Sequence, residues 1–177
     1  MIVREAKVDD APAIARVNLD TWRTAYRHIV PADYFANLAY ETRESNWREI
    51  LLNAKNTADF ACVAENEFGK VVGFAAGGSE RTGNYAYRGE LFAIYILEEY
   101  QRRGIGRQLV RSVAAKLADR GLNSLLVWVL ADNSAWKFYE ALGGEKVDGR
   151  ETIRAGIALK EIAYGWTDTA ILINTSA

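Results

Sequence analysis

Hydrophobic and polar residues follow two different periodicities in succession between residues 90 and 117. Residues 90–97 have the aliphatic and aromatic content of a buried strand. From residue 105 onward, the apolar side chains recur at helical spacing and form one face. They are Ile105, Leu109, Val110, Val113, Ala114 and Leu117. The segment between them contains two glycines, so the pattern predicts a strand, a tight turn and an amphipathic helix.

The pattern in the flanking chain predicts further helices and strands. Before residue 90 these are a strand at 2–5, a helix with the apolar stripe Ile14, Val17 and Trp22, short helices at 32–38 and 42–52, and hairpin strands at 60–65 and 70–78. After residue 117 they are a strand at 124–130, a short helix at 134–142, a strand starting at 146–147 and a strand at 158–166. Strands joined through a helix are parallel and hairpin strands antiparallel, so an α/β fold with a mixed sheet is expected.

Composition and charge narrow the classes of function. With 177 residues, half of them hydrophobic, one domain over residues 1–166 is expected, followed by a tail or strand extension at 167–177. The net charge of −1 argues against a nucleic-acid or anionic-membrane partner, because no positive field would attract one. Cys62 is the single cysteine, so no intrachain disulfide is expected. No segment has the pattern of a signal peptide or membrane span, and a cytoplasmic protein is predicted.

The turn at residues 101–106 has the features of an anion site. The first N–H groups of a helix lack intrahelical partners and lie at the positive end of its dipole. Arg102, Arg103 and Arg107 add positive charge there, and the glycines allow a ligand close to the backbone. A phosphate or pyrophosphate is therefore predicted. The segment lacks the Gly-Lys-Ser/Thr ending of a Walker loop, and a leucine occupies the third glycine position of a dinucleotide fingerprint.

Two motifs carry a resemblance to a known family. Gln-x-x-Gly-x-Gly at residues 101–106 resembles the acetyl-CoA-binding motif of the GCN5-related N-acetyltransferase (GNAT) family. Residues 133–144 resemble the family's Asn-x-x-(Ala)-x-x-Phe-Tyr-x-x-x-Gly-Phe signature, with Gly144 where an aromatic residue often stands. The predicted order of elements agrees over Ile2–Trp166. The resemblance implies a mixed, mostly antiparallel sheet flanked by helices, in which a splayed parallel strand pair forms the cofactor cleft.

The resemblance also implies roles for individual residues. The implied acetyl-CoA contacts are Ile94, Tyr95 and Ile96 for the pantetheine, Gln101, Arg102, Arg103, Gly104, Ile105, Gly106 and Arg107 for the pyrophosphate turn, and Asn133 and Tyr139 for the arm and its sulfur. Trp22 and Tyr26 belong to a pattern, Trp-x-x-Ala-Tyr…Val-Pro, found in a subset of the family. In that subset the first helices line the acceptor side, so these two residues either contact the acceptor or pack.

Acetyl transfer to an amine requires a neutral amine, a stabilised carbonyl oxygen and a protonated leaving thiolate. Tyr139 is predicted to be the acid that protonates the thiolate. A backbone N–H near Ile94–Ile96, freed by a bulge, is predicted to stabilise the oxygen. Glu90 is either a base acting through water or a solvated carboxylate at the strand end.

In the hairpin strand at 70–78, Gly77 and Gly78 mark a bulge or a close approach of another backbone.

The sequence therefore predicts an acetyl-CoA-dependent N-acetyltransferase that acts on a primary amine by direct attack in a ternary complex. The amine belongs either to a small molecule or to a peptide. A non-catalytic acyl-CoA-binding module is the alternative, and a nucleotide-binding protein is a weaker one. No residues have metal-ligand spacing, so no metal is expected. Many members of the family are dimers, which makes a homodimer an expectation from the resemblance alone.

Overall fold

The computed structural model describes residues 1–29, 39–54, 56–84, 86–154 and 156–174, with the backbone alone for Arg154. Its strands are β1 Ile2–Glu5, β2 Phe60–Glu65, β3 Val71–Ser79, β4 Gly89–Ile96, β5 Leu125–Leu130, β6 Glu145–Arg154 and β7 Ile157–Trp166. Its α-helices are α1 Ala11–Ala25, α2 Tyr40–Asn53, α3 Ile105–Asp119, α4 Trp136–Ala141 and α5 Ala170–Asn174. Short 3-10 turns occupy Val8–Asp10 and Glu98–Tyr100. The helix predicted at 32–38 lies outside the described residues.

The strands form one mixed sheet in the order β1-β2-β3-β4-β5-β7-β6. All neighbouring pairs are antiparallel except β4 and β5, which are parallel. This confirms the predicted α/β fold with a mixed, mostly antiparallel sheet. The last hairpin folds back so that β7, not β6, lies beside β5.

The parallel pair separates after only a few residues. Gly89 to Leu91 of β4 pair with Leu125 to Val127 of β5, and the pairing then ends. From there β5 continues beside β7 as far as Leu130, while β4 continues beside β3 as far as Ile96. The predicted splayed strand pair is therefore present, and a gap opens between its two members.

Helices cover both faces of the sheet and leave the gap between them. The predicted apolar face of α3 is buried against β2, β3 and β4, and none of its six apolar side chains exceeds 1% exposure. On the other face, α1 packs on β3 and β4, and α2 packs on α1. The rings of Trp47 and Phe74 of β3 meet in a T-shaped arrangement with their centroids 4.9 Å apart. None of the helices in the described part of the chain has the length and apolar content needed to cross a bilayer.

The end of the described chain differs from the expectation for 167–177. Residues 170–174 form α5 instead of a strand extension or a loose tail. The Asp168 carboxylate accepts the Ala170 N–H at 2.8 Å, which caps the turn. Leu172 is only 3% exposed, and α5 packs on α3. Burial of the Leu172 side chain against α3 helps to hold this segment as a helical turn.

Candidate active site

The gap between β4 and β5 is the floor of a cleft with a volume of about 1110 Å³. One wall is the second half of β4, and the opposite wall is β5 with the start of α4. The C-terminal end of α1 covers one side, and the turn before α3 closes the other. Because no described strand pairs with β4 on its β5 side beyond Leu91, its backbone is open to a ligand along Ile94–Ile96. The cleft therefore combines an open strand edge with a helix start.

The turn that precedes α3 has an unusual backbone. Arg102 and Gly104 both have positive φ, at 62° and 78°. Arg102 bears a side chain in this left-handed region, which is uncommon. Alternating left- and right-handed residues turn successive N–H groups toward one point and create a concave anion site. Within the described part of the chain no side chain caps α3, so its first amides stay available to such a ligand.

Other contacts hold this turn in place. The Gln101 side-chain amide donates to the Ile96 carbonyl at 3.0 Å, which ties the turn to the end of β4. A Cβ on Gly106 would lie 3.1 Å from Phe138 Cζ, so the glycine lets α3 approach α4 closely. Ile105 is 1% exposed and anchors the turn in the core. The residues of the motif thus hold the turn in its conformation as well as lining the cleft.

The arginines of the turn differ in their positions. Arg102 and Arg107 line the cleft together with Gly104 and Gly106. The Arg103 guanidinium instead lies over the Tyr100 ring, 5.4 Å from its centroid, and is not among the lining residues. Of the three predicted positive charges, the structure therefore brings two to the cleft.

Tyr139 lies in α4, lines the cleft and is 4% exposed. Its ring packs against Tyr164 and Trp166 at centroid distances of 6.2 and 6.4 Å. Burial raises the pKa of the Tyr139 phenol well above its ordinary value, and the nearby Tyr26 adds to the shift. The phenol therefore keeps its proton at neutral pH and remains a hydrogen-bond donor.

Trp22 and Tyr26, at the end of α1, also line this part of the cleft. Their ring centroids are 4.8 Å apart. The pKa of the Tyr95 phenol is raised mainly by burial. Its interactions with Tyr26 raise it further, whereas a hydrogen bond with Trp22 lowers it. Tyr26 thus interacts with both Tyr95 and Tyr139 across the cleft. The sequence assigned only the backbone of Tyr95, yet its side chain joins this aromatic cluster.

Glu90 lies in the paired part of β4, between Gly78 and Leu126, and is not among the cleft-lining residues. It is 6% exposed, so it is not the solvated carboxylate that the sequence left open. Its carboxylate accepts the Arg81 N–H at 3.0 Å and lies 3.7 Å from Arg81 Nε. Burial raises the pKa of Glu90, and Arg81 partly opposes that effect.

The predicted bulge in the central strand is present in β4 and lies at Phe92, two residues before the Ile94–Ile96 segment. Ala76 pairs with Ala93 and Gly77 with Leu91, which leaves Phe92 without a counterpart on β3. A Cβ on Gly78 would lie 3.0 Å from Phe92 Cζ, so the ring uses space that only glycine leaves. The glycines at 77 and 78 therefore mark both a bulge and a close approach, as predicted. Phe92 lines the cleft.

The second motif positions Asn133 and α4. Asn133 Oδ1 accepts the Ala135 N–H at 2.9 Å and shapes the turn into α4, and the residue lines the cleft. A Cβ on Gly144 would lie 2.6 Å from Trp166 Cζ2. Trp166 of β7 fills the space beside this position, which accounts for glycine where the family often has an aromatic residue.

Glu161 is a cleft residue that sequence reasoning missed. This carboxylate of β7 is 4% exposed and lines the cleft beside Leu130 of β5. Its position depends on β7 pairing with β5, which the hydrophobic pattern does not encode. In the sequence, the only clue to a role for Glu161 was that an acidic residue occurs within a strand of alternating polar and apolar residues. Across the described residues, no three His, Cys, Asp or Glu side chains converge as metal ligands would.

A sheet whose parallel strands part over a cleft, with an uncapped helix start at one end, is the arrangement that the resemblance implied for the class of acyl-CoA-dependent N-acyltransferases. The comparisons with known proteins agree. The family model described as FR47-like protein matches residues 79–154. The chain is 42% identical over 170 residues to the uncharacterized N-acetyltransferase YuaI of Bacillus subtilis (strain 168), covering 96% of this chain and 95% of that one. The chain belongs to the GCN5-related N-acetyltransferase (GNAT) family.

Solved structures share the fold at low sequence identity. The PaiA N-acetyltransferase of Thermoplasma acidophilum, in complex with coenzyme A, matches with a TM-score of 0.72 and 18% identity, over 90% of this chain and 96% of that one. The yncA structure from Salmonella typhimurium, with its cofactor acetyl-CoA, matches with a TM-score of 0.69 and 17% identity, over 100% and 96% of the two chains. These likenesses extend the agreement in fold to nearly the whole chain.

Proposed function

We propose that this protein transfers an acetyl group from acetyl-CoA to a primary amine, by direct attack of the amine while both substrates are bound. The observation that carries the proposal is the gap beyond Leu91, with the uncapped α3 start at one end and Tyr139 on its wall. The relative YuaI is named an N-acetyltransferase, and two proteins of the same fold were solved with coenzyme A or acetyl-CoA.

The residues of the turn suit a diphosphate. The left-handed conformations of Arg102 and Gly104 would direct backbone amides toward one point, and the Arg102 and Arg107 side chains lie at the same end of the cleft. The open edge of β4 at Ile94–Ile96 would hold the amide groups of the pantetheine, and Asn133 faces the same cleft. These groups together would fix the position of the thioester.

Tyr139 is the residue best suited to assist the leaving group. Acetyl-CoA supplies a thioester whose thiolate must be protonated as it departs, and an ordinary thiol has a pKa of about 8.5. Burial keeps the Tyr139 phenol protonated, so its O–H can donate to the sulfur. Tyr26, which interacts with Tyr139, and Trp22 form the wall on which an acceptor would lie.

The position of the single cysteine favours direct attack. Cys62 lies in β2, is 1% exposed and is not among the cleft-lining residues. Burial raises the pKa of its thiol to about 11, which suppresses the nucleophilic thiolate. An acyl-cysteine intermediate is therefore disfavoured.

Steady-state kinetics test direct attack. Initial rates measured at varied concentrations of both substrates should give intersecting double-reciprocal lines, and parallel lines would contradict direct attack.

Glu90 is proposed as the proton acceptor, acting through water because it does not line the cleft. Deprotonating a lysine-like amine at pH 7 costs about 4.6 kcal/mol, since its pKa is near 10.4. Burial raises the pKa of Glu90 and makes it a better base than an exposed carboxylate. The Arg81 contacts lower the pKa of Glu90 in part and favour the ionised form, which is the form that accepts a proton.

The test is a screen of primary amines with acetyl-CoA, in which released CoA thiol is measured alongside direct titration of CoA. Acetyl-CoA binding together with amine-dependent thiol release supports the proposal. Tight binding without release for any acceptor would favour the non-catalytic acyl-CoA-binding module.

We also propose a cytoplasmic homodimer without nucleic-acid or membrane partners. Light scattering would test the dimer, and cell fractionation would test the location.

A further inference from the structure

One arginine beside the cleft is held in a fixed orientation. Arg150 of β6 donates from Nε to Glu161 Oε2 at 2.7 Å, and its Cζ lies 4.0 Å from the centroid of the Trp128 ring. The Glu161 side chain is 3% exposed, whereas the Arg150 side chain is 40% exposed. A buried carboxylate and an aromatic face therefore orient a guanidinium that remains open to solvent.

This arrangement leaves the terminal nitrogens of Arg150 available. A guanidinium has five N–H donors in a planar fork, and the contact with Glu161 uses the one at Nε. The forked terminal donors match the two oxygens of a carboxylate. Because the stem is already fixed by ring and carboxylate, binding there costs little side-chain entropy.

Arg150 faces a second pocket of about 450 Å³. The pocket is lined by Thr82, Gly83, Asn84, Trp128, Asp148 and Arg150. Trp128 lines both this pocket and the main cleft, so the two spaces share one wall. Trp128 Nε1 donates to Thr82 Oγ1 at 3.3 Å, which joins the loop before β4 to β5. For a molecule with its amine in the cleft, the pocket on the other side of Trp128 is therefore the neighbouring space.

A second arginine, in the loop before β4, repeats the arrangement. Arg81, next to Thr82, lies with its Cζ 3.3 Å from the centroid of the Phe92 ring and is paired with Glu90. The Glu90 side chain is 8% exposed and that of Arg81 is 55% exposed. In both pairs the carboxylate is buried and the guanidinium is exposed, so each pair presents its positive group to solvent.

Asp148 is the opposing charge in the pocket. It is exposed and precedes Arg150 by two residues on the same strand, and its Oδ1 accepts the Gly149 N–H at 2.7 Å. Unlike Arg150, it is not held by a buried partner of opposite charge among the described residues. Its negative charge should weaken anion binding at Arg150 without abolishing it.

The geometry points to an acceptor amine that also carries a carboxylate, which Arg150 binds in this pocket while the amine lies in the cleft. Arg150 is then a specificity-determining residue, and Glu161 and Trp128 position it. The inference rests on the proposed acetyl transfer and narrows its substrate class. An amine without an anionic group, such as a simple alkylamine or a polyamine, would lack this contact.

The test compares matched acceptors: several amino acids, their carboxamides and the corresponding amines without the carboxyl group. We expect the carboxylate to raise kcat/KM by about 10- to 150-fold, the factor that a charge-assisted hydrogen bond supplies. Arg150→Gln should remove most of that preference through a higher KM, and leave the amines without a carboxyl group within about twofold of wild type. Arg150→Lys should retain part of the preference, and Asp148→Asn should increase it.

Two controls keep the outcome interpretable. Arg111→Gln removes an exposed arginine of α3 and should change none of these ratios. The double variant Arg150→Gln/Glu161→Gln removes both charges together, so a loss of preference cannot arise from a buried unpaired carboxylate. Acetyl-CoA affinity, measured by titration for every variant, reports whether the fold is intact.

The results separate this inference from the function on which it rests. Thiol release with amines, independent of their carboxyl group and of Arg150, would overturn the inference and leave acetyl transfer in place. Acetyl-CoA binding without thiol release for every acceptor would overturn the proposed function itself. A carboxylate preference lost in Arg150→Gln and restored in part by Arg150→Lys is the result we expect.

Discussion

Among single residues, Tyr139 has the most clearly defined environment for chemistry. It lies on a short helix at the cleft, is nearly fully buried, and has a pKa raised by that burial. Its neighbours Tyr164 and Trp166 fix the ring. A fixed, protonated phenol can serve as a donor without the reorganisation that a mobile side chain requires.

Tyr139→Phe should lower kcat about 100-fold or more, the range of general acid catalysis, and change acetyl-CoA affinity little. The ring and its packing are retained and only the donor is lost. Tyr164→Phe is the matched control, because that hydroxyl donates to Glu140 at 2.9 Å in the same aromatic cluster. Equal loss in both variants, or full activity in Tyr139→Phe, would contradict the acid role.

The Glu90 carboxylate gives a prediction about pH and activity. Burial raises the pKa of Glu90, so the acidic limb of kcat/KM should reflect its protonation. Glu90→Gln should lower kcat/KM and remove that limb. A pH–rate profile with the same acidic limb in the variant would exclude Glu90 as the proton acceptor.

The same residue has a consequence for stability. A carboxyl whose pKa is raised by folding stabilises the native state fully below the pKa in the unfolded chain, near 4.5, and that contribution is lost as the pH rises through the higher native pKa. Relative to wild type, Glu90→Gln should therefore gain free energy of unfolding as the pH rises from 4 toward neutrality. Urea unfolding over this range measures it, and a trend of the opposite sign would contradict the assigned shift.

Among the elements, the turn between β4 and α3 depends most on backbone conformation. Gly104 has a φ of 78°, and a Cβ added to it would meet no atom within 4 Å, so a side chain there is strained without being crowded. The strain would act where the first amides of α3 are directed toward the ligand. Conformation and binding are thus coupled at one residue.

Gly104→Ala should cost about 1–2 kcal/mol of stability, the penalty for a left-handed L-residue, and also weaken CoA binding. Gly69→Ala is the matched control, because Gly69 has a φ of 73° and the same open surroundings, in the turn between β2 and β3. Its stability should fall by a similar amount with CoA affinity unchanged. Calorimetric titration and urea unfolding measure the two effects, and equal CoA affinities in both variants would contradict the proposed diphosphate site.

The elements also show what a hydrophobic pattern can and cannot predict. The strand at 90–97 and the helix at 105–117 follow from local periodicity and lie within one or two residues of β4 and α3. The bulge at Phe92 depends on register with β3, and the place of Glu161 depends on β7 lying beside β5. Both are set by pairing between distant segments, which local periodicity does not record. The motif residues Tyr139 and Asn133 were found because their spacing is itself local.

For the whole molecule, ligand binding should appear as added stability. A ligand that binds only the folded state stabilises it by about 2.7 kcal/mol at 100 times its Kd. For a chain of this size that is a rise in Tm of about 5–11 °C. Acetyl-CoA should give such a shift by differential scanning calorimetry. ATP at the same concentration should not, and a larger shift with ATP would favour a nucleotide-binding protein.

The central claim is that the gap between β4 and β5 binds acetyl-CoA and points its thioester at Tyr139. The most direct measurement is a crystal structure of the protein with acetyl-CoA. We predict the diphosphate on the backbone amides of residues 102–107, the pantetheine along Ile94–Ile96 and the sulfur within hydrogen-bond reach of the Tyr139 hydroxyl. A coenzyme bound elsewhere, with this turn free of phosphate, would contradict that claim.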